Sequence, residues 1–240
     1  MKAALLVAGL GTRLRPITEH TPKCLVPING RPLLAIWLEK LVNAGVTQVL
    51  INTHWLAETV MDYLETNTPR GLKVHLFHEP RLLGSAGTLL ANREFFADGP
   101  FFIIYGDNLS DVNLAQMYQC HRRYQPLLTL GTFASDCPQK CGIAEIDSKG
   151  IVKGFMEKPD SPVSNCAAAG IYIAEPSIFD YFPSPEKQAS LDIGFDIIPH
   201  LIGKMRNYPI DLLIDIGTHQ NLIKAQSYEP QLSETFKDYQ

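Results

Sequence analysis

The sequence predicts an α/β fold, doubly wound about a mostly parallel mixed sheet, with antiparallel additions in its second half. Three observations carry that expectation. Up to Tyr105 short apolar runs alternate with stretches of helical period, as a parallel sheet covered by helices on both faces requires. The run Phe101 to Tyr105 is wholly apolar, the pattern of a strand buried on both sides. From Leu127 onward the strand-like segments Gly142 to Ile146 and Ile151 to Glu157 flank Asp147-Ser148-Lys149-Gly150, a sequence suited to a hairpin loop, so antiparallel pairing is expected there.

Taken in order, Ala3 to Val7 is the first strand, and a small-residue turn follows it. Pro32 to Ala44 repeats apolar side chains at Leu33, Leu34, Trp37, Leu38, Leu41 and Val42, a helical period that Gly45 ends. Val46 to Asn52 reads as a buried strand, Ala57 to Leu64 as a helix, Leu72 to Phe77 as a strand and Gly87 to Phe96 as a helix. Beyond the hairpin, Ala167 to Ile173 is strand-like, Asp196 to Lys204 helical, Asp211 to Ile214 strand-like, and Thr218 to Gln226 a closing helix. The residues after Tyr228 are polar and expected to fray, which gives one domain over residues 1–228 and a tail over residues 229–240. No internal repeat is visible.

At 240 residues, 45% hydrophobic and 19% charged, the chain has the length and composition of one large globular α/β domain. It contains no run of about 18 apolar residues, and its start lacks the charged, apolar and cleavage regions of a signal peptide. A cytoplasmic protein without a membrane partner is expected. The net charge of -4 and the absence of a Lys/Arg run speak against nucleic acid. Five cysteines are scattered except for Cys137-x3-Cys141, and the histidines show no metal-ligand spacing with them, so no zinc site is expected.

The turn after the first strand reads Val7-Ala8-Gly9-Leu10-Gly11-Thr12-Arg13, and Lys23 follows. Gly9 and Gly11 let backbone N–H groups approach an anion closely, and Arg13 and Lys23 bring positive charge to the same place. Lys2, Arg13, Arg15, Lys23 and Arg31 stand against the single acid Glu19 in this stretch, inside a chain that is acidic overall. A tight turn with no ligand is the plain alternative, but it does not call for the two cations. A dinucleotide fingerprint would need glycine at Leu14, and a P-loop would need G-x-x-x-x-G-K-[ST], which is absent.

Two acids repeat one setting. Asp107 follows the apolar strand in Tyr105-Gly106-Asp107-Asn108, and Asp215 follows Leu212-Leu213-Ile214 ahead of a helix. Carboxyl ends of strands are where open α/β sheets bind ligands, and Mg²⁺ takes one or two carboxylates together with substrate phosphates. A turn-capping Asp-Asn pair and a helix approach are the structural alternatives.

The turn resembles the signature of the sugar-1-phosphate nucleotidylyltransferases, L-A-G-G-x-G-T-R-L-x-P-x-T-x-x-x-P-K. Val7 and Ala8 stand where most members carry Ala and Gly, a form also found in bacterial UDP-glucose pyrophosphorylases. The later segments Gly106-Asp107-Asn108, Glu157-Lys158-Pro159, Ser164-Asn165, Gly170-Ile171-Tyr172 and Asp215-Ile216-Gly217-Thr218 are similar to the family's in kind and order. The resemblance implies a Rossmann-like nucleotidyltransferase fold. By the same likeness Ala8, Gly9, Gly11 and Thr12 cradle the nucleotide, with Arg13 and Lys23 on its phosphates. Asp107 and Asp215 ligate Mg²⁺. Lys158 binds the phosphate of the sugar phosphate, and Gly142, Glu157, Asn165 and Gly170 line the sugar. Gly84, Ser85 and Gly87 correspond to the base-binding loop, whose L-G-T-A-G relatives occur in mannose-1-phosphate guanylyltransferases. Glu79 lies where thymidylyltransferases use glutamine. A carboxylate there suits guanine N1–H and N2–H₂, while a surface strand-end acid explains it equally.

The implied reaction joins a nucleoside triphosphate and a sugar 1-phosphate, with GTP and a mannose or heptose phosphate favoured and a uridylyl- or thymidylyltransferase as the alternative. Two other classes stay open. A metal-dependent glycosyltransferase shares the nucleotide-binding half but normally carries Asp-x-Asp, which Asp107-Asn108-Leu109 lacks. A non-catalytic nucleotide-sugar sensor is the second, and Arg13, Lys23, Asp107, Lys158 and Asp215 together argue against it. A homo-oligomer is left open by the sequence.

Overall fold

The computed structural model describes residues 1–183 and 190–228, so the expected fraying of the tail lies outside the described residues. In chain order the first half runs β1 (Lys2–Leu6), the short ribbon β2 (Pro27–Ile28) and β3 (Arg31–Pro32), α1 (Leu33–Asn43), β4 (Gln48–Thr53), α2 (Ala57–Asn67), β5 (Lys73–His78), α3 (Ser85–Ala91) and β6 (Phe101–Tyr105). The second half runs β7 (Asn108–Ser110), α4 (Leu114–Tyr124), β8 (Leu128–Ala134), β9 (Gly142–Ile146), β10 (Val152–Glu157), β11 (Cys166–Ala174), β12 (Met205–Pro209), β13 (Leu213–Asp215) and α5 (His219–Gln226).

The strands form a nine-stranded sheet in which β10, β9, β11, β6, β1, β4 and β5 lie side by side in that order, β8 pairs with β11, and β12 pairs with β8. The pairs β6/β1, β1/β4 and β4/β5 are parallel, while β11 runs antiparallel to β6, β8 and β9. This is the expected mixed sheet. Helices cover both faces. On one face Leu33, Leu34, Trp37, Leu38 and Leu41 of α1 pack with α2, α4 and α5; on the other, Ala86 and Leu89 of α3 pack with Phe96, Ile193, Ile197 and Leu201. Each fully buried side chain of that size contributes about 1.5–3 kcal/mol, so α1 is held by its apolar stripe.

Two expected helices differ in the structure. Residues 196–204 are not an α-helix: a π turn over Ile193–Ile197 leads into a 3₁₀ turn over Ile198–Leu201, because Pro199 has no N–H to continue the ladder. The helix expected over 87–96 starts at Ser85 and breaks near Asn92, and Arg93–Phe96 continues as 3₁₀. Six labelled elements went unforeseen: β2, β3, α4, β7, β8 and β12.

One of them sets the position of the site. β7 pairs antiparallel with β13, Asp215 opposite Asn108, and the Ile216 N–H donates to the Asp107 carbonyl at 3.1 Å. The indole N–H of buried Trp37 donates to the Asn108 carbonyl at 2.8 Å, which anchors this ribbon to the core. Strand-end acids far apart in the chain are thereby brought side by side.

Candidate active site

A cleft of about 250 Å³ opens at the carboxyl ends of β1 and β6. Its wall includes Ala8 and Gly9 from the turn after β1, Lys23, the loop with Glu79, Gly84 and Ser85, and Asp107. The basic turn, the small-residue loop and one of the strand-end acids thus share one space.

At its centre Lys23, only 7% exposed, donates from Nζ to Asp107 Oδ2 at 2.6 Å and to Asp215 Oδ1 at 2.9 Å. Burial alone pushes the ammonium down, but the two carboxylates beside it more than offset that and leave its pKa above the usual lysine value. Lys23 therefore stays charged in neutral solution. Arg13 Nη2 approaches the other Asp215 oxygen at 3.6 Å, and its exposed side chain is free to turn toward a ligand. Asp107 and Asp215 thus already share one cation, the Lys23 ammonium. A carboxylate pair with room for phosphate oxygens is a donor set that suits Mg²⁺.

The glycines of the turn differ in what they do. Gly11 has φ +65° and a Cβ there would strike the Thr18 side chain, whose hydroxyl donates to the Gly11 carbonyl at 2.7 Å. A Cβ at Gly9 would meet no protein atom within 4 Å. Packing does not demand glycine at that position, and Gly9 lines the cleft. Ala8 is buried, and Thr12 opens the 3₁₀ turn that carries Arg13.

The loop after β5 corrects one reading. Glu79 is not a surface acid: it is 1% exposed, and its carboxylate accepts from Asn52 Nδ2 at 2.8 Å, Thr88 Oγ1 at 2.5 Å and the Leu83 N–H at 2.9 Å. Those donors hold the carboxylate in place, so its observed work is to hold the loop, and a guanine reader at this position loses its main support. Asn52, which sequence reasoning passed over, completes the brace by accepting from the Val7 N–H at 2.7 Å. A polar residue near the end of the otherwise apolar strand Val49 to Ile51 was the available signal. The Ser85 hydroxyl likewise is engaged, with Asp192 Oδ2 at 2.9 Å. Gly84 has φ +79° and lies against the Leu191 carbonyl, and a Cβ on Gly87 would press on Leu83. Their small size answers first to packing within the chain.

Where the resemblance puts the sugar, the structure brings Gly142, Glu157 and Lys158 together. A Cβ on Gly142 would run into the Glu157 carboxylate, and Lys158 Nζ lies 3.7 Å from Glu157 Oε1. Lys158 holds φ +48°, a left-handed backbone that costs about 1–2 kcal/mol for a residue with a Cβ, and its N–H donates to the Cys141 carbonyl at 3.0 Å. Strain of this kind concentrates at functional positions. Burial raises the Glu157 carboxyl pKa while Lys158 lowers it, and the net direction is up. Gly170, at φ +66°, sits where a Cβ would strike the Tyr105 ring, within the stretch of β11 where its register with β8 shifts. Asn165 is exposed and gives its carbonyl to the Ser135 N–H at 2.9 Å; its side chain is not drawn into the Glu157 group.

Tyr105 in the cleft wall packs edge to face with buried Tyr172, and burial first raises the pKa of both hydroxyls; neither tyrosine had a role in the sequence reading, and the segment from Leu191 to Phe195 did not enter it.

The family model described as "Nucleotidyl transferase" matches residues 2–231. The chain belongs to that family. Among this nucleotidyl transferase's relatives, the mannose-1-phosphate guanylyltransferase catalytic subunit beta of Drosophila melanogaster is 34% identical over 228 residues, 92% of this chain and 61% of the relative. A UTP–glucose-1-phosphate uridylyltransferase of Synechocystis is 34% identical over 217 residues, 84% of this chain and 55% of the relative. The chain thus spans well under two thirds of the length of these curated relatives. In shape it matches the crystal structure of a UDP-glucose pyrophosphorylase complexed with UDP-glucose, with a TM-score of 0.81, 25% identity and coverage of 94% of this chain and 96% of that one. Among the described residues no helix is long and apolar enough to cross a membrane.

Proposed function

We propose that this nucleotidyl transferase condenses a nucleoside triphosphate with a sugar 1-phosphate, giving a nucleoside-diphosphate sugar and pyrophosphate, with GTP and mannose 1-phosphate as the first pair to test. The observation that carries the reading is Lys23, held by Asp107 and Asp215 in the same cleft as the glycine turn. The guanylyltransferase relatives support the choice of pair, since Glu79 no longer does. UTP and glucose 1-phosphate come next on the strength of the uridylyltransferase relative.

A phosphate oxygen of the sugar phosphate attacks the α-phosphorus of the triphosphate, and pyrophosphate leaves in line. The nucleophile is ionised already, so no side chain needs to form a covalent bond. The protein's work is to hold two polyanions against their repulsion and to meet charge as the leaving group departs. In this reading Arg13 and Lys23 hold the triphosphate and the departing pyrophosphate, the amides of the turn around Gly9 and Gly11 face the phosphates, and Lys158 aligns the attacking phosphate beside Glu157. Mg²⁺ held by Asp107 and Asp215 supplies further neutralisation of phosphate charge when bound.

The test is a matrix of nucleoside triphosphates against sugar 1-phosphates (mannose, heptose, glucose, N-acetylmuramate) with Mg²⁺, read by pyrophosphate release and product mass. Pyrophosphate with a nucleoside-diphosphate sugar supports the proposal. Release of a nucleoside diphosphate identifies a glycosyltransferase instead, and no turnover with any pair, alongside nucleotide-sugar binding, identifies a sensor.

A further inference from the structure

The segment Leu191 to Phe195 runs between the loop after β5 and the Glu157–Lys158 pair, and the chemistry above makes no use of it. On the nucleotide side it is stitched to the loop after β5. The Leu191 carbonyl accepts from the Ala86 and Gly87 N–H groups at 2.9 and 3.2 Å, and the Leu191 N–H donates to the Leu83 carbonyl at 2.8 Å. Ser85 donates its hydroxyl to Asp192 Oδ2 at 2.9 Å and accepts from the Ile193 N–H at 2.9 Å. On the sugar side, Asp192 Oδ1 accepts from the Gly194 and Phe195 N–H groups at 2.8 and 3.2 Å. Gly194 is pressed on the Glu157 carboxylate with no space for a Cβ, and the Phe195 ring centre lies 5.3 Å from Lys158 Nζ.

One carboxylate therefore faces two ways: one oxygen serves the nucleotide loop, the other fixes the backbone that carries Phe195 against Lys158. We propose that Asp192 is a positioning residue that couples the two substrate subsites, so that a nucleotide ordering the loop at Ser85 also orders Lys158 and Glu157 for the sugar phosphate. The proposal rests on the nucleotidylyltransferase reading for what fills each end. The physical basis is that the loop over residues 83–88 cannot shift without carrying Asp192 with it, and a shift of Asp192 removes the acceptor that sets Phe195. Coupling of this kind between sites typically changes affinity about 5- to 150-fold.

The experiment uses the full chain with Ser85→Ala, Asp192→Asn, Asp192→Ala and the Ser85→Ala/Asp192→Ala double variant. Substrates are the pair that the wild type turns over in the matrix above. Ser85→Ala, a change at the nucleotide end, is expected to raise KM for the sugar phosphate about fivefold or more with a smaller effect on kcat. The double variant should be no worse than Asp192→Ala alone. Asp192→Asn, which keeps a carbonyl for the Gly194 and Phe195 amides, should recover part of the loss. Multiplying effects in the double variant, or a Ser85→Ala effect confined to the nucleotide KM, overturns the proposal. A second measurement does not depend on turnover. Hydrogen exchange of the ligand-free chain should show the Ala86 and Gly87 amides and the Gly194 and Phe195 amides loosening together, about tenfold, in Asp192→Ala and less in Asp192→Asn, whereas loosening on the sugar side alone refutes the coupling. If no substrate pair reacts but the exchange result holds, the activity reading fails and the mechanical link stands.

Discussion

Replacing Lys23 by methionine removes the ammonium but keeps most of the side chain's bulk in its 8%-exposed site. The wild-type ammonium makes two charge-assisted hydrogen bonds, at 2.6 and 2.9 Å, each of a kind worth about 1.5–3 kcal/mol. Both acceptors are near 40% exposed, at 39% and 42%, so water takes up part of the loss. The variant is therefore expected to lose about 1–3 kcal/mol of stability and to remain folded. Its effect on turnover should be larger. Loss of one preorganised donor that meets charge in a transition state typically costs about 10²–10³-fold in kcat, and in the proposed reaction Lys23 is a full charge in a cleft that holds two polyanions. The assay is pyrophosphate release under saturating substrates, with circular dichroism and a urea melt on the same preparation. Turnover within threefold of wild type by a folded Lys23→Met protein would refute the assigned role.

Two further predictions come from the same geometry. Gly84→Ala, at φ +79° against the Leu191 carbonyl, should lower stability by about 2 kcal/mol or more, whereas Gly9→Ala, with no protein atom within 4 Å of the new methyl, should leave the urea midpoint unchanged and yet cut turnover at least tenfold. If Gly9→Ala is fully active, the cleft does not seat a ligand against that turn. Glu157 has its carboxyl pKa raised from 4.5, chiefly by burial, so the folded chain holds that proton more tightly than the unfolded one, and its contribution is fullest below 4.5 and falls as pH rises through the raised value. Glu157→Gln should therefore flatten the decline of stability with pH above 4.5 relative to wild type, while raising KM for the sugar phosphate; a steeper decline in the variant would reverse the sign of the reasoning.

The alternation of apolar and periodic segments made the parallel half legible, because strands buried on both faces have few alternatives. The signature turn was legible for a related reason: two cations beside two glycines have little to do in a turn without an anion. What remained hidden depended on contacts distant in sequence. β7 is three residues long, and nothing local marks it as a strand until β13 lies beside it. Glu79 read equally as a guanine reader or an exposed acid because its partners, Asn52 and Thr88, come from other elements. Ser85, Gly84 and Gly87 read as a ligand loop, but Leu191 and Asp192 are needed to show that the loop is also a joint. The helix expected over 196–204 failed at Pro199, a breaker present in the sequence that the apolar pattern outweighed.

The β7/β13 ribbon has a consequence for how the molecule comes into being. Lys23 and Asp215 are separated by 192 positions, and they meet only through that ribbon. A polypeptide emerging from the ribosome presents Lys23 early, but Asp215 follows only 192 positions later. The charge cluster around Lys23 is thus closed by a long-range contact, and a chain cut before β13 lacks one of its two carboxylates.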